Sequence, residues 1–133
     1  MSGPIQYSPT GLYLKTQKAY WDNLSVMNLV VINCNEIVDW NSFHAVFKKA
    51  FGFPEFYGQN MDAWIDCMTY LDTDFSTVQV EEGEILTLQL DNIRQTRETL
   101  PDIYNTIIEC SAFVNWRRVE QGNPPILALS FYQ

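Results

Sequence analysis

Apolar residues follow two patterns along the chain, short continuous runs and helical spacing. Leu29–Asn33 is a continuous run typical of a buried β-strand. Large side chains then recur every three or four positions and predict an amphipathic helix. These are Trp40, Phe43, Phe47, Ala50 and Phe51. Asp39 or Asn41 is the candidate N-cap of this helix, and Gly52 followed by Pro54 is its predicted end.

The middle of the chain predicts a second helix and a second strand. The helix begins at the favoured N-cap residue Asn60, which follows Gly58, and ends near Asp72. Ile85–Leu90 is apolar enough for a central strand, and we interpret the polar segment Asp91–Thr99 as a connection. The order so far is strand, helix, helix, strand.

The last third predicts a long helix and a final strand. Pro101 suits the first turn of the helix. Its apolar stripe consists of Ile103, Ile107, Cys110 and Val114. Gly122–Pro125 ends it, and Ile126–Tyr132 is a buried strand. The predicted fold class is therefore α/β, a small three-stranded parallel sheet packed by helices. Residues 28–133 form this domain, and residues 1–27 are an N-terminal extension.

The charge of the chain is acidic and uneven. The 133 residues carry a net charge of −8, and the sequence pI is about 4.4. Between Ala50 and Ile93 there are nine acids and no Lys, Arg or His, whereas the remainder holds seven acids and eight bases. Such a protein is unsuited to bind nucleic acid through phosphate contacts. We therefore expect a partner with a basic surface.

The spacing of the cysteines and the length of the apolar segments indicate where in the cell the protein is located. Cys34, Cys67 and Cys110 are far apart in the sequence, without the close pairs of a zinc site or a redox dithiol. Met1–Lys15 has no apolar leader, and no apolar run approaches the ~20 residues needed to span a bilayer. We expect a cytoplasmic protein without membrane contact, cofactor or metal, and a monomer when free.

The helix that begins at Asn60 carries two aspartates on its polar side. Asp62, Asp66 and Thr69 lie within about 60° of one another on a helical wheel, opposite the large apolar residues. The helix dipole favours Asp62, which lies in the first turn. With no cation bound, the two carboxylates repel each other modestly, and a cationic partner relieves that repulsion.

Two adjacent aromatic residues lie in the loop before this helix. Within Gly52–Gln59, Phe56 and Tyr57 stand between a proline and a glycine. One ring of such a pair can anchor in the core while the other faces outward beside the acids. This composition is typical of an interface hot spot. The alternative is a buried aromatic loop beside an ordinary solvated helix face.

Catalysis is the main competing class. Asp62 and Asp66 could hold a divalent cation or act as acid and base, but no third ligand lies at suitable spacing. His44 lies within the first helix, where packing or an exposed polar position is expected. Cys67 falls on the apolar side of its helix, as expected of an inert core thiol. We predict that the protein is not an enzyme.

The segment Phe53–Leu71 (FPEFYGQNMDAWIDCMTYL) closely resembles the signature of the barstar family, the intracellular inhibitors of secreted ribonucleases of the barnase type. The resemblance extends upstream through Ser42–Lys49 and Val31–Ile37. The shared residues are a proline, a glutamate, a tyrosine-glycine pair, an asparagine, two aspartates and a cysteine in fixed register. Downstream of Asp72 only the order of elements is shared.

The resemblance implies that the loop Gly52–Gln59 and the helix that follows it block a nuclease active site by direct occupation. The implied partner-binding residues are Phe56, Gly58, Asn60, Asp62, Ile65, Asp66 and Thr69. Phe56 stands where the best-known member has tyrosine, Ile65 replaces a tryptophan, and Tyr70 replaces a glycine. The family also uses an acid on a later helix, for which Glu109 and Glu120 are candidates.

From the resemblance we expect a ribonuclease inhibitor that presents its acids and aromatic loop to a basic, barnase-like ribonuclease. Carboxylates accept paired hydrogen bonds from Arg in the way phosphate oxygens do. One alternative is a barstar-fold binding module, antitoxin or immunity protein for another basic partner. A further alternative, ranked below it, is a metal-dependent enzyme that uses Asp62 and Asp66.

Overall fold

The computed structural model describes residues 28–133, so the predicted N-terminal extension, residues 1–27, lies outside the described residues. The elements are β1 (Leu29–Asn33), a 3₁₀ helix (Cys34–Glu36), α1 (Trp40–Phe51), α2 (Met61–Thr69), β2 (Leu86–Asp91), α3 (Ile93–Thr99), α4 (Pro101–Glu120) and β3 (Leu127–Phe131). The strands form one sheet in the order β1-β2-β3, and both strand pairs are parallel. The predicted α/β fold class is confirmed.

Side-chain and glycine caps fix the two ends of α1. The Asp39 carboxylate accepts the backbone N–H of Ser42 at 2.8 Å, and the Ser42 hydroxyl oxygen accepts the backbone N–H of Asp39 at 3.0 Å. Gly52 ends the helix with a φ of 65°, in the left-handed region that favours glycine. Asp39 is thus the N-cap, and the predicted end at Gly52 is confirmed.

α2 begins where the sequence predicts and ends earlier. The Asn60 side chain accepts a backbone N–H of the first turn at 2.8 Å. The last helical residue is Thr69 rather than Asp72. The chain leaves the helix there because Tyr70 has φ −107° and ψ 31°, and the Thr73 N–H donates to the Tyr70 carbonyl at 3.1 Å. The predicted helix is therefore too long at this end.

The segment Asp91–Thr99 contains a helix, so its interpretation as a polar connection is wrong. Asn92 has a left-handed φ of 61° and turns the chain out of β2. The Ile93 N–H then donates to the Tyr132 carbonyl at 3.1 Å. Ile93 and Thr96 are the buried residues of α3. Two inward positions, one of them polar, give too sparse a pattern for sequence analysis to detect.

The core lies between the sheet and the helices. Leu86, Leu88 and Leu90 of the central strand β2 are fully buried. The helices contribute further buried side chains to this core: Phe43, Phe47, Phe51, Trp64, Met68, Ile107 and Val114. α2 packs directly against α4, so residues far apart in the sequence meet along that contact.

Candidate functional site

The loop before α2 separates its two aromatic side chains, which is the first of the two arrangements considered from the sequence. Tyr57 is buried, whereas Phe56 is 74% exposed. The Tyr57 hydroxyl forms a hydrogen bond with Nδ1 of His44, which is also buried. Tyr57 therefore anchors the loop to α1 while its neighbour Phe56 faces solvent.

Gly58 and Asn60 shape the start of α2 and are both exposed. Asn60 supplies the N-cap. A Cβ atom on Gly58 would lie 3.2 Å from Nδ2 of Asn60, so a side chain at that position would crowd the cap. Gln59, between them, has a φ of 55°. These residues fix the path by which the chain leaves the aromatic loop and enters the helix.

Asp62 and Asp66 are exposed one turn apart on α2, as the helical wheel predicts. The Asp66 side chain is 53% exposed. Ile65, which lies before Asp66, is half-buried and packs against the core. The two carboxylates thus share one surface of the helix, while Ile65 contributes to the packing of the helix on the core.

Thr69 does not share this exposed surface, so its predicted place on the polar stripe is wrong. It is 1% exposed, and its hydroxyl donates to the Ile65 carbonyl at 2.6 Å. The wheel places Thr69 beside Asp66 in projection, but α4 covers this end of α2. Nη1 of Arg118 donates to the Thr69 carbonyl at 2.7 Å. Thr69 therefore belongs to the packed end of the helix.

Asp66 forms an ion pair within the protein that the sequence analysis missed. Nη2 of Arg117 lies 2.9 Å from Oδ1 of Asp66. This hydrogen bond raises the pKa of Arg117 above its ordinary value, and Tyr70 makes a smaller contribution in the same direction. The acid-only segment of the sequence therefore receives a positive charge from α4 in the folded protein.

Arg118 makes a second, deeper connection between α4 and the acidic segment. It is 3% exposed, and its Nη2 donates to Oδ2 of Asp72 at 2.9 Å. A signal for this contact exists in the sequence, because Arg118 falls four positions after Val114 on the apolar stripe of the helix. A charged residue at such a position needs a buried partner.

Glu109 of α4 and Asp62 of α2 act electrostatically on one thiol, that of Cys110. The pKa of this thiol is raised, first because of burial and then because of the negative charges of Glu109 and Asp62. Glu109 is exposed, and Glu120 is the last residue of α4. Of the two candidate acids on the later helix, Glu109 is the one whose charge, like that of Asp62, raises the pKa of the Cys110 thiol.

An aromatic cluster adjoins the ion pair of Asp66 and Arg117. The Phe56 and Phe75 ring centroids are 5.7 Å apart in an edge-on arrangement, and those of Tyr70 and Phe75 are 6.2 Å apart. Tyr70 also helps to raise the pKa of Arg117. We refer to these residues together as the acidic-aromatic surface: Phe56, Asp62, Asp66, Tyr70, Phe75 and Glu109.

Cys67 and His44 lie behind this surface, in the core. Burial raises the pKa of the Cys67 thiol to about 11, with a smaller contribution from Asp66. Burial lowers the pKa of His44 below its ordinary value. Both environments favour the neutral form, as expected of packing residues.

Metal-ligand clusters and membrane-spanning helices are both absent from residues 28–133. No group of three or more His, Cys, Asp or Glu side chains in this part of the chain is arranged to hold a metal ion. None of its helices has both the length and the apolar character needed to cross a membrane.

The chain also matches a known protein family. Residues 27–129 match the model of the family described as Barstar (barnase inhibitor). The matched range includes the whole acidic-aromatic surface. It also extends beyond Asp72 into β2, α4 and β3, where the sequence resemblance gave only the order of elements.

Proposed function

The chain belongs to the barstar (barnase inhibitor) family, and from this premise we propose that it blocks the active site of a barnase-type ribonuclease by direct occupation. The observation that carries the proposal is the exposure of Asp62 and Asp66 one turn apart, beside Phe56, which is 74% exposed. A ribonuclease holds its phosphate substrate with basic side chains. Carboxylates accept hydrogen bonds from the same groups.

The residues of the acidic-aromatic surface have different roles in this proposal. Asp62 and Glu109 supply negative charge from two helices. Phe56 covers the rim of the partner's site and excludes water, which strengthens the neighbouring charged hydrogen bonds. Gly58 and Asn60 set the direction of the loop, and Ile65 packs the helix that carries the carboxylates against the core.

The experiment is a titration of the purified protein into a barnase-type ribonuclease while RNA cleavage is followed. We expect stoichiometric inhibition by the parent protein. Asp62→Asn should raise the inhibition constant about thirtyfold or more, the scale of an interface hot spot. Glu98→Gln removes the same charge from an exposed position on α3, and should change the constant by no more than about twofold.

Two outcomes contradict the proposal. Undiminished RNA cleavage in the presence of excess parent protein shows that a barnase-type enzyme is not the partner. Equal losses for Asp62→Asn and Glu98→Gln show that net charge, rather than this surface, governs binding.

A second candidate function is the binding of a basic protein that is not a ribonuclease. The ion pair of Arg117 and Asp66 favours it, because this pair removes one free carboxylate from the surface. Recovery of the complex from the protein's own cells, followed by an RNA cleavage assay of the partner, separates the candidates. A stoichiometric basic partner without ribonuclease activity supports the second function and contradicts the first.

A further inference from the structure

The positive charge of Arg117 lies at the acidic-aromatic surface, and we propose that Arg117 is a specificity-determining residue for the partner. This inference rests on the proposed function. Arg117 weakens binding to a predominantly cationic nuclease site. Arg117 does not weaken binding to a partner that places a carboxylate opposite it.

The contact between Arg117 and Asp66 lies at the surface. The Arg117 side chain is 26% exposed and the Asp66 side chain 53% exposed, with 2.9 Å between Nη2 and Oδ1. Tyr70 also favours the charged form of Arg117, whose pKa it helps to raise. The positive charge is therefore fixed at the same surface that displays the carboxylates.

The other acids of the surface differ from Asp66 in this respect. Within residues 28–133, the ion pairs join Lys48 to Glu55, Arg117 to Asp66 and Arg118 to Asp72. Asp62 and Glu109 take part in none of these pairs. The acidic-aromatic surface thus has a negative part at Asp62 and Glu109 and a charge-compensated part at Asp66.

When a basic partner binds, the difference between Asp66 and the other two acids, Asp62 and Glu109, becomes larger. A partner arginine that approaches Asp66 also approaches Arg117, and like charges brought together in a desolvated interface cost several kcal/mol. Oδ1 of Asp66 is already occupied, so a forked hydrogen bond from the partner has to share it. Rotation of Arg117 away from Asp66 frees the carboxylate but leaves the positive charge on the same surface.

The test measures binding kinetics to an immobilised barnase-type ribonuclease for the parent protein and three variants. Arg117→Gln removes the charge and keeps a hydrogen-bond donor, whereas Arg117→Lys keeps the charge. Arg97→Gln removes a charge from an exposed position on α3 and serves as the matched control. Thermal unfolding of each protein verifies that it is folded.

We expect Arg117→Gln to bind about tenfold more tightly than the parent, mainly through slower dissociation. Arg117→Lys and Arg97→Gln should each stay within about twofold of the parent. Equal or weaker binding by Arg117→Gln overturns the inference and leaves the proposed function standing. If Arg117→Lys binds as tightly as Arg117→Gln, the inference is also overturned, because the positive charge of residue 117 is then not what weakens binding. Absence of binding by all four proteins overturns the proposed function, and the inference with it.

Discussion

Arg118 of α4 and Asp72, which follows α2, form a two-pronged ion pair inside the protein. Nη2 lies 2.9 Å from Oδ2, and Nη1 lies 3.3 Å from Oδ1. The same guanidinium donates to the carbonyls of Thr69 at 2.7 Å and Pro124 at 2.9 Å. Arg118 therefore ties the end of α2 to the end of α4 and to the loop before β3.

Substitution Arg118→Met should lower the free energy of unfolding by about 3 kcal/mol, because it leaves the Asp72 carboxylate and two carbonyls without their donor. Arg117→Met is the matched control one residue away. Its ion pair is solvent-exposed, so the loss should stay below about 1 kcal/mol. Urea unfolding of both variants measures the difference. Equal losses contradict the burial argument.

Gly52→Ala should destabilise the protein by about 3 kcal/mol. A Cβ atom at this position would lie 2.4 Å from Cβ of Thr77, and the backbone has a φ of 65°. The overlap and the left-handed conformation both carry a cost. Gly83→Ala is the control, since Gly83 has a φ of 88° but no heavy atom within 4 Å of the added Cβ. It should cost only about 1 kcal/mol in thermal or urea unfolding. A similar loss at both glycines would count against steric overlap at Gly52.

Local signals in the sequence predict most of the fold. The continuous apolar run predicts β1 at its observed bounds, and Gly52 predicts the end of α1, whose N-cap is Asp39, one of the two candidates. These features depend on neighbouring residues, which the sequence shows directly. α3 is missed because its buried residues, Ile93 and Thr96, form no recognisable apolar pattern, and their burial depends on packing against the 3₁₀ helix and α4.

The candidate site is predicted less completely, since tertiary contacts modify it. Spacing along one helix correctly predicts that Asp62 and Asp66 are exposed. It cannot predict that α4 buries Thr69 or that Arg117 reaches Asp66, because a helical wheel shows only one helix. These contacts join residues 49 and 51 positions apart, and no local pattern encodes them.

Stability should fall as the pH drops below about 6.5, the ordinary pKa of histidine. Burial lowers the pKa of His44 in the folded state, so the unfolded state binds more protons between the two pKa values. The loss levels off once the pH lies below the folded-state pKa. His44→Gln should abolish this slope, because the chain contains one histidine. Asp39 titrates at lower pH, since its bonds to Ser42 lower its pKa.

Urea unfolding at several pH values measures this effect. A slope that persists in His44→Gln over the same pH range assigns it to another group and contradicts the prediction.

Phe56→Ala should weaken binding of the ribonuclease partner far more than it weakens the fold. The ring is 74% exposed and packs edge-on against Phe75, so the loss in unfolding free energy should stay below about 1 kcal/mol. Dissociation from the partner should accelerate, because water then reaches the charged contacts. Tyr57→Phe in the same loop should weaken the fold more than it weakens binding of the partner, since it removes the buried hydrogen bond to His44. If Phe56→Ala binds like the parent, the loop is not part of the contact.

Association with the ribonuclease partner should slow markedly between low and moderate ionic strength. Charge attraction speeds the encounter of an acidic protein with a basic one, and salt screens it. Within residues 28–133, Arg117 and Arg118 pair with Asp66 and Asp72, whereas Asp62 and Glu109 belong to none of the ion pairs and supply the negative charge of the surface. Asp62→Asn should therefore slow association at low salt more than Glu98→Gln, and the two rates should converge as salt increases. Stopped-flow measurements across a salt series test this, and a rate that does not respond to salt rules out electrostatic steering.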